Sequence, residues 1–155
     1  EVKKDIGFVS GDSFYPKSKL KDITKVYKRF YPIWNETAYV KYIQLFNLDV
    51  SKKMDELSKG MKMKYSIALA LSHHAELLIL DEPTEGIQPN IISQIGEVIE
   101  LLKQQGDMAI ILVEQYFDFA FSLADRFYTL KRGRVTMAAK KSEVTRKDVL
   151  ANVTV

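Results

Sequence analysis

The 155-residue sequence contains no cysteine. This absence excludes a disulfide framework and any thiolate metal site, and it fits a reducing compartment. Long apolar runs are also absent, because runs such as residues 77–80 and 108–113 are far shorter than the ~18 residues that a membrane-spanning helix needs. No basic and then apolar leader marks the chain as secreted. Since the first residue is Glu1 rather than Met, we expect the sequence to be part of a longer chain.

A phosphate-binding loop of the form G-x-x-x-x-G-K-[S/T] is missing as well. None of the seven glycines is followed by lysine. Such a loop cradles phosphates with backbone N–H groups and supplies a lysine to the terminal phosphate. These 155 residues therefore do not provide that cradle themselves.

The composition is that of a globular protein, with 46% hydrophobic and 28% charged residues. A chain of this length can bury one core, or one core and a small lobe. Two basic stretches, within residues 17–29 and 131–147, lie in a chain of 23 basic and 20 acidic residues. Their irregular spacing favours a solvated surface over a nucleic-acid groove, so we expect no nucleic-acid partner.

The hydrophobic periodicity predicts an α/β fold in which helices and strands alternate. Its predicted helices are two amphipathic segments within 20–46, one from Ser58 to about His74, one from about Pro89, one over about 116–124, and a short one in the tail 140–155. Its predicted strands cover 6–9, 77–80, 109–113, 127–130 and 135–138, with a hairpin turn at 132–134. We expect a parallel sheet covered on both faces. The predicted divisions are 1–75, 76–138 and a tail 139–155.

Two motifs carry the chemical information. The first opens a helix and reads Leu57, Ser58, Lys59, Gly60, Met61. Its free N–H groups, helix dipole and serine hydroxyl suit a terminal phosphate, and Lys59, Lys62 and Lys64 could add positive charge, although an ordinary N-cap is the alternative. The second is an apolar strand that ends in Asp81 and Glu82. At the carboxyl edge of a parallel sheet, Asp81 can hold Mg²⁺ and Glu82 can polarise a water, although an acidic turn is the alternative.

Together the two motifs resemble the signature and Walker B motifs of ATP-binding-cassette (ABC) ATPases, over essentially the whole chain. The resemblance implies a helical signature subdomain plus the C-terminal half of a P-loop (RecA-like) ABC ATPase sheet. It implies Asp81 as the Mg²⁺ carboxylate and Glu82 as the general base. It also implies that residues 57–61 contact the γ-phosphate of ATP held by a second subunit.

The chain departs from the family pattern at several positions. Lys59 and Met61 replace two residues of the usual Leu-Ser-Gly-Gly-Gln signature. Gln88 stands at the D-loop aspartate, and Gln115 stands at the switch histidine, where an amide can bind phosphate but cannot gain a proton near neutral pH. The Q-loop glutamine falls on Gly11.

The resemblance divides into two parts. Residues 4–84 resemble ABC-2 exporter-type ATPases, and residues 80–138 resemble urea and branched-chain amino-acid importer ATPases. We therefore hypothesise a chimera joined within residues 80–86.

The implied function is that of the ATP-binding and ATP-hydrolysing subunit of an ABC transporter, here incomplete. Its implied cofactors are ATP and Mg²⁺, and its implied partners are a second nucleotide-binding subunit and transmembrane permease subunits. The implied location is the cytoplasmic face of a membrane. Two alternatives stay open: a non-catalytic fragment that supplies only the signature and Walker B half, and a soluble ABC ATPase of repair or translation.

Overall fold

Three parallel strands form the sheet that positions the candidate site. In the computed structural model, which describes residues 5–10 and 15–153, these strands are β1 (Ile6–Val9), β2 (Leu77–Asp81) and β3 (Ala109–Val113). They are ordered β1-β2-β3, and Ile79 of β2 pairs with Phe8 on one side and Ile111 on the other. Central strand β2 therefore ends, at Asp81, in the middle of the sheet's carboxyl edge.

The two faces of this sheet differ in burial. On one face Leu78 and Leu80 are completely buried. On the other face the side chains of Phe8, Ile111 and Val113 are 61%, 48% and 49% exposed. The expectation of a sheet covered on both faces is therefore wrong for the described residues, because β3 alternates exposed and half-buried positions along its length.

The buried face packs against helix α3 (Lys59–Ala70). The contact is close, because a Cβ added at Gly7 of β1 would lie 3.0 Å from the Cβ of Ala70. Helix α4 (Pro89–Gln105) follows β2 and buries Ile95, Val98, Ile99 and Leu102 along one side. It ends at Gly106, whose φ of 73° is the left-handed conformation that terminates helices.

The segment before α3 contains helices α1 (Leu20–Phe30) and α2 (Glu36–Leu45) and a short 3-10 helix at Met54–Glu56. A buried hydroxyl cluster joins α1, α2 and α3. Thr24 lies 2.8 Å from both the Tyr39 and Tyr65 hydroxyls, and Tyr65 donates to the Leu20 carbonyl at 2.7 Å. Burial raises the pKa of Tyr65, as expected for a phenol held protonated in a closed network.

Residues 5–10 and 15–116 belong to one compact unit, and a second unit begins at Phe117. The second unit contains α5 (Phe117–Leu123), the antiparallel strands β4 (Arg126–Lys131) and β5 (Arg134–Lys140), a 3-10 helix at Lys141–Glu143, and α6 (Arg146–Val153). The predicted hairpin turn is confirmed, since Arg132 and Gly133 have φ values of 50° and 73°. The sequence-based divisions at 75 and 138 stay predictions.

Most predicted elements are present, and one of them differs in its bounds. Helix α3 ends at Ala70 rather than near His74, because the chain turns there and His74 adopts a left-handed φ of 56°. The Q-loop position Gly11 lies outside the described residues. Across residues 5–10 and 15–153, no helix has both the length and the apolar character that crossing a bilayer requires.

Candidate functional site

Asp81 and Glu82 lie where central strand β2 ends, and both are half-buried. Asp81 pairs in register with Val113 of β3, and the Glu82 backbone N–H donates to the Val113 carbonyl at 2.9 Å. Glu82 has a φ of 48°, a left-handed conformation that few non-glycine residues adopt. This turn redirects the chain immediately after the strand, at the sheet edge where ligands bind in open α/β folds.

Gln115, which follows β3 by two residues, is brought directly to Glu82. Its side-chain Nε2 donates a hydrogen bond to Oε1 of Glu82. The sequence interpretation placed these two residues in one site but did not predict their contact. The structure thus joins three sequence-predicted site residues, Asp81, Glu82 and Gln115, at the carboxyl ends of β2 and β3.

Thr84 and Glu114, which the sequence analysis did not identify as site residues, connect the same two segments through hydrogen bonds. The Thr84 hydroxyl donates to Oε1 of Glu114 at 2.7 Å, and the Thr84 backbone N–H approaches Oε2 at 3.4 Å. Glu114 Oε1 also accepts the backbone N–H of Tyr116 at 3.1 Å. Thr84 is only 5% exposed, so the turn after β2 is held at a buried residue from the side of β3.

The carboxylate of Asp81 suits a Mg²⁺ ion. Within residues 5–10 and 15–153, no hydrogen bond or ion pair engages this side chain, so its oxygens are not occupied by donors from these residues. Mg²⁺ takes oxygen ligands and is commonly held by one or two carboxylates together with water and phosphate oxygens. A complete protein cage is not required, and over residues 5–10 and 15–153 there is no group of three or more His, Cys, Asp or Glu that could form one.

Ser58 is the N-cap of α3, as the sequence predicts. Its side-chain oxygen accepts the Met61 backbone N–H at 3.3 Å, and its carbonyl accepts the N–H of Lys62 at 3.0 Å. Ser58 is exposed, whereas neighbouring Leu57 is 5% exposed and anchors the motif in the core. The hydroxyl hydrogen of Ser58 makes no bond to any residue that the structure describes, which leaves it available as a donor.

Two of the three lysines in this helix are engaged within the chain. Lys59 forms an ion pair with Glu85, with Nζ 2.8 Å from Oε2. The Lys59 ammonium lowers the pKa of the Glu85 carboxyl below its ordinary value. Lys64 is 5% exposed and donates to Oε1 of Gln94. Burial lowers the pKa of Lys64, so this residue is a packed part of the α3–α4 contact rather than a free cation.

Gly60 is also explained by packing. It is buried, and a Cβ placed on it would lie 2.8 Å from Cγ2 of Ile91 and 3.3 Å from Cγ2 of Ile87. A glycine is therefore required for α3 to approach the start of α4 this closely. The sequence analysis places Gly60 in a phosphate-contacting motif and does not anticipate this packing role.

Gln88, the D-loop position, is exposed and precedes α4. Its backbone carbonyl accepts the N–H groups of Ile91 and Ile92 at 2.9 and 3.1 Å, while its side chain forms no cap hydrogen bond. Of the two histidines, His73 is 4% exposed and stacks on Tyr31 with ring centroids 3.9 Å apart.

The residues thus form two groups in the structure. Asp81, Glu82 and Gln115 form one group, the strand-end cluster, at the carboxyl ends of β2 and β3. Residues 57–61 form the other group and open α3. Within the described part of the chain, no hydrogen bond or ion pair joins one group to the other. The link between their neighbourhoods is the Lys59–Glu85 pair and the contact of Gly60 with Ile87 and Ile91.

Comparison with known proteins gives a consistent family. The family profile described as ABC transporter matches residues 2–85. The high-affinity branched-chain amino acid transport ATP-binding protein BraG of Pseudomonas aeruginosa is 44% identical over 52% of this chain and 34% of its own length. The Nod factor export ATP-binding protein I of Rhizobium etli is 31% identical over 86% of this chain and 44% of its own length. An uncharacterized ABC transporter ATP-binding protein of Bacillus subtilis, YhaQ, is 28% identical over 99% of this chain and 53% of its own length.

The chain thus spans about half, or less, of the length of these relatives. Solved structures agree on the fold. A nucleotide-free ATP-binding cassette from an ABC transporter matches 97% of this chain with a TM-score of 0.76 at 19% identity, over 66% of its own chain. A dimeric post-hydrolysis cassette bound to ADP and Pi matches 90% with a TM-score of 0.75 at 19% identity, over 65% of its own chain. The fold and the family match lead to one conclusion: this chain belongs to the ABC transporter family of ATP-binding proteins and spans part of that fold.

Proposed function

We propose that the chain forms the signature and Walker B part of an ATP-hydrolysing subunit that powers a membrane permease. The observation that carries the proposal is the strand-end cluster of Asp81, Glu82 and Gln115. There, Asp81 is not engaged by described protein donors, and Glu82 is oriented by Gln115. This placement fits metal binding and water activation at the carboxyl edge of a parallel sheet.

In this proposal Asp81 holds Mg²⁺ and Glu82 orients and polarises the attacking water. When bound, the ion neutralises negative charge on the phosphate oxygens. Gln115 holds the Glu82 carboxylate and can donate to a phosphate, but it adds no titrating group of its own. The hydrogen bond from Gln115 to Glu82 supports this division of roles.

In this proposal the start of α3 contacts a second nucleotide. Ser58 offers a hydroxyl hydrogen, and the first turn of α3 offers backbone N–H groups at the positive end of the helix dipole. Residues 57–61 would contact the γ-phosphate of ATP held by a second nucleotide-binding subunit, with Gln88 near the same dimer contact. Within the described residues, no hydrogen bond or ion pair joins residues 57–61 to the strand-end cluster, which is consistent with two separate nucleotides.

The family implies transmembrane permease subunits as further partners and a peripheral position on the cytoplasmic face of the membrane. No cargo or direction is proposed, because the similar proteins include one named for amino acid transport and one named for Nod factor export.

For the 155 residues as printed, a second function is favoured by a specific observation. They contain no phosphate loop, and hydrolysis depends on the positioning and charge stabilisation that such a loop gives. By themselves they would then act as a non-catalytic module that supplies Ser58 and neighbouring N–H groups to ATP on another subunit.

ATP turnover tests both statements. We expect no turnover from the printed chain, and Mg²⁺-dependent turnover after an N-terminal segment with a G-x-x-x-x-G-K-[S/T] loop is joined to it. In the extended chain, Glu82→Gln should reduce kcat by about 100-fold or more, within the range of 10² to 10⁴ for a lost general base. ATP binding should be retained.

Glu97→Gln on the exposed side of α4 is the matched carboxylate-to-amide control and should leave kcat unchanged. Hydrolysis by Glu82→Gln at the parent rate would refute the role of Glu82. Tight Mg-ATP binding and Glu82-dependent turnover by the printed chain would refute the non-catalytic module.

A further inference from the structure

Glu114 is an acidic residue that no motif assigns. It directly follows β3 and is half-buried. Three donors converge on its carboxylate: the hydroxyl of Thr84 at 2.7 Å, the backbone N–H of Thr84 at 3.4 Å and the backbone N–H of Tyr116 at 3.1 Å. An ionised carboxylate only accepts hydrogen bonds, so it is suited to collecting donors from two chain segments at once.

The two segments that Glu114 joins are those that carry Glu82 and Gln115. Thr84 lies two residues after Glu82 in a turn closed by the Glu85 N–H donating to the Glu82 carbonyl at 3.2 Å. Tyr116 directly follows Gln115. Glu114 therefore holds the backbone on both sides of the Gln115–Glu82 hydrogen bond.

The left-handed backbone of Glu82 requires the constraint that these hydrogen bonds to Glu114 supply. A non-glycine residue at a φ of 48° carries conformational strain, and it persists only where surrounding contacts over-determine it. The backbone bond from Glu82 to Val113 supplies one constraint, and the buried Thr84 hydroxyl on Glu114 supplies another.

We propose that Glu114, acting through Thr84 and Tyr116, is a positioning residue that keeps Gln115 within hydrogen-bond reach of Glu82. In the chain itself this is a statement about geometry, and its importance for turnover rests on the proposed function. Loss of the Thr84–Glu114 bond releases the turn after β2, and the Gln115 amide then samples orientations that do not reach Glu82.

Nuclear magnetic resonance of the printed chain tests the geometry without any activity. The side-chain amide signals of Gln115 should show a downfield chemical shift at a fixed pH, because the amide donates a hydrogen bond to the Glu82 carboxylate. Glu82→Ala identifies this shift by abolishing it, because it removes the acceptor oxygens. The matched pair is Thr84→Val, which removes the hydroxyl and nearly keeps the shape, and Thr84→Ser, which keeps the hydroxyl.

We expect Thr84→Ser to retain the shift and Thr84→Val to lose most of it, while the backbone signals of buried Leu78 and Tyr65 stay unchanged. If Thr84→Val does not fold, Glu114→Gln provides the same comparison, since one acceptor oxygen becomes a donor group. A folded Thr84→Val or Glu114→Gln chain that keeps the full shift overturns the proposal. So does a parent chain in which Gln115 does not sense Glu82.

In the extended chain that carries a phosphate loop, the same variants separate this proposal from the proposed function. Thr84→Val should lower kcat by about tenfold with KM for ATP unchanged, because small misplacements of a reacting group are costly. If Glu82→Gln abolishes turnover while Thr84→Val leaves kcat intact, the proposed function stands and the positioning role of Glu114 falls.

Discussion

At the scale of single residues, several positions that the sequence assigns to ligand binding also have contacts within the chain. Ser58 caps a helix, Gly60 permits two helices to approach, and Lys59 pairs with Glu85. A motif thus records packing constraints and chemistry together. Where the two coincide, as at Gly60, loss of activity in a variant does not by itself distinguish them.

The Lys59–Glu85 pair gives a pH prediction. Lys59 lowers the pKa of Glu85 from its ordinary value of 4.5, so the pair favours the folded chain above that value and loses its effect as pH falls through the lowered pKa. The stabilisation is small, because both side chains are partly exposed, and added salt should weaken it. Carboxyl titration by magnetic resonance should show the Glu85 pKa rising towards 4.5 in Lys59→Met. Lys62→Met is the control, and a Glu85 pKa that Lys59→Met leaves unchanged contradicts the pairing.

Gly60→Ala tests the packing explanation through the sign of the change in the free energy of unfolding. At an unhindered helix position, this change stabilises a protein by roughly 0.5–1 kcal/mol. Here we expect a loss of about 1–3 kcal/mol, because the new Cβ would meet Ile91 at 2.8 Å. Urea denaturation of the parent and the variant measures this loss of stability. Ile91→Ala should remove most of the additional cost in the double variant, and a stabilised Gly60→Ala would refute the close contact.

At the scale of elements, the sequence predicts strand and helix positions well and contacts poorly. Continuous apolar runs locate β2 and β3, and the regular recurrence of apolar residues at helical spacing locates α4. It places the end of α3 too late, since Leu71, Ser72 and His73 continue the buried pattern after the helix has ended. The Thr84–Glu114 bond joins positions 30 residues apart, and no local pattern encodes such a pairing.

The two faces of the sheet should differ in mutational cost. Leu78→Ala should lower the free energy of unfolding by about 2–5 kcal/mol, because Leu78 is completely buried. Ile111→Ala should cost about 1 kcal/mol or less, because 48% of Ile111 is exposed and little apolar area is lost. Denaturation at two protein concentrations measures both. Equal losses that depend on concentration would mean that a second copy covers this face in solution.

At the scale of the whole molecule, the family and fold are recognisable because one motif opens a predicted helix and the other ends the predicted strand that follows it. Sequence comparison and fold comparison agree on this point. The roles of individual residues are not settled by fold likeness at 19% identity. They depend on side-chain geometry at the ends of β2 and β3, which only the folded chain displays.

The chimera hypothesis is also a statement about the whole chain. It predicts that residues 1–80 and 90–155, compared separately with intact ATPases, find their highest identity in different subfamilies: exporter-type for the first and importer-type for the second. A single intact ATPase that matches both segments equally well would contradict it.

Metal location is the most direct test of the central claim that the carboxyl ends of β2 and β3 form the nucleotide site. Mn²⁺, which replaces Mg²⁺ and broadens nearby resonances, is titrated with ATP into the isotope-labelled chain extended by a phosphate loop. We predict broadening centred on residues 81–84 and 113–116, lost in Asp81→Asn and retained in the exposed control Asp55→Asn. Broadening centred elsewhere, or unchanged in Asp81→Asn, would contradict the account.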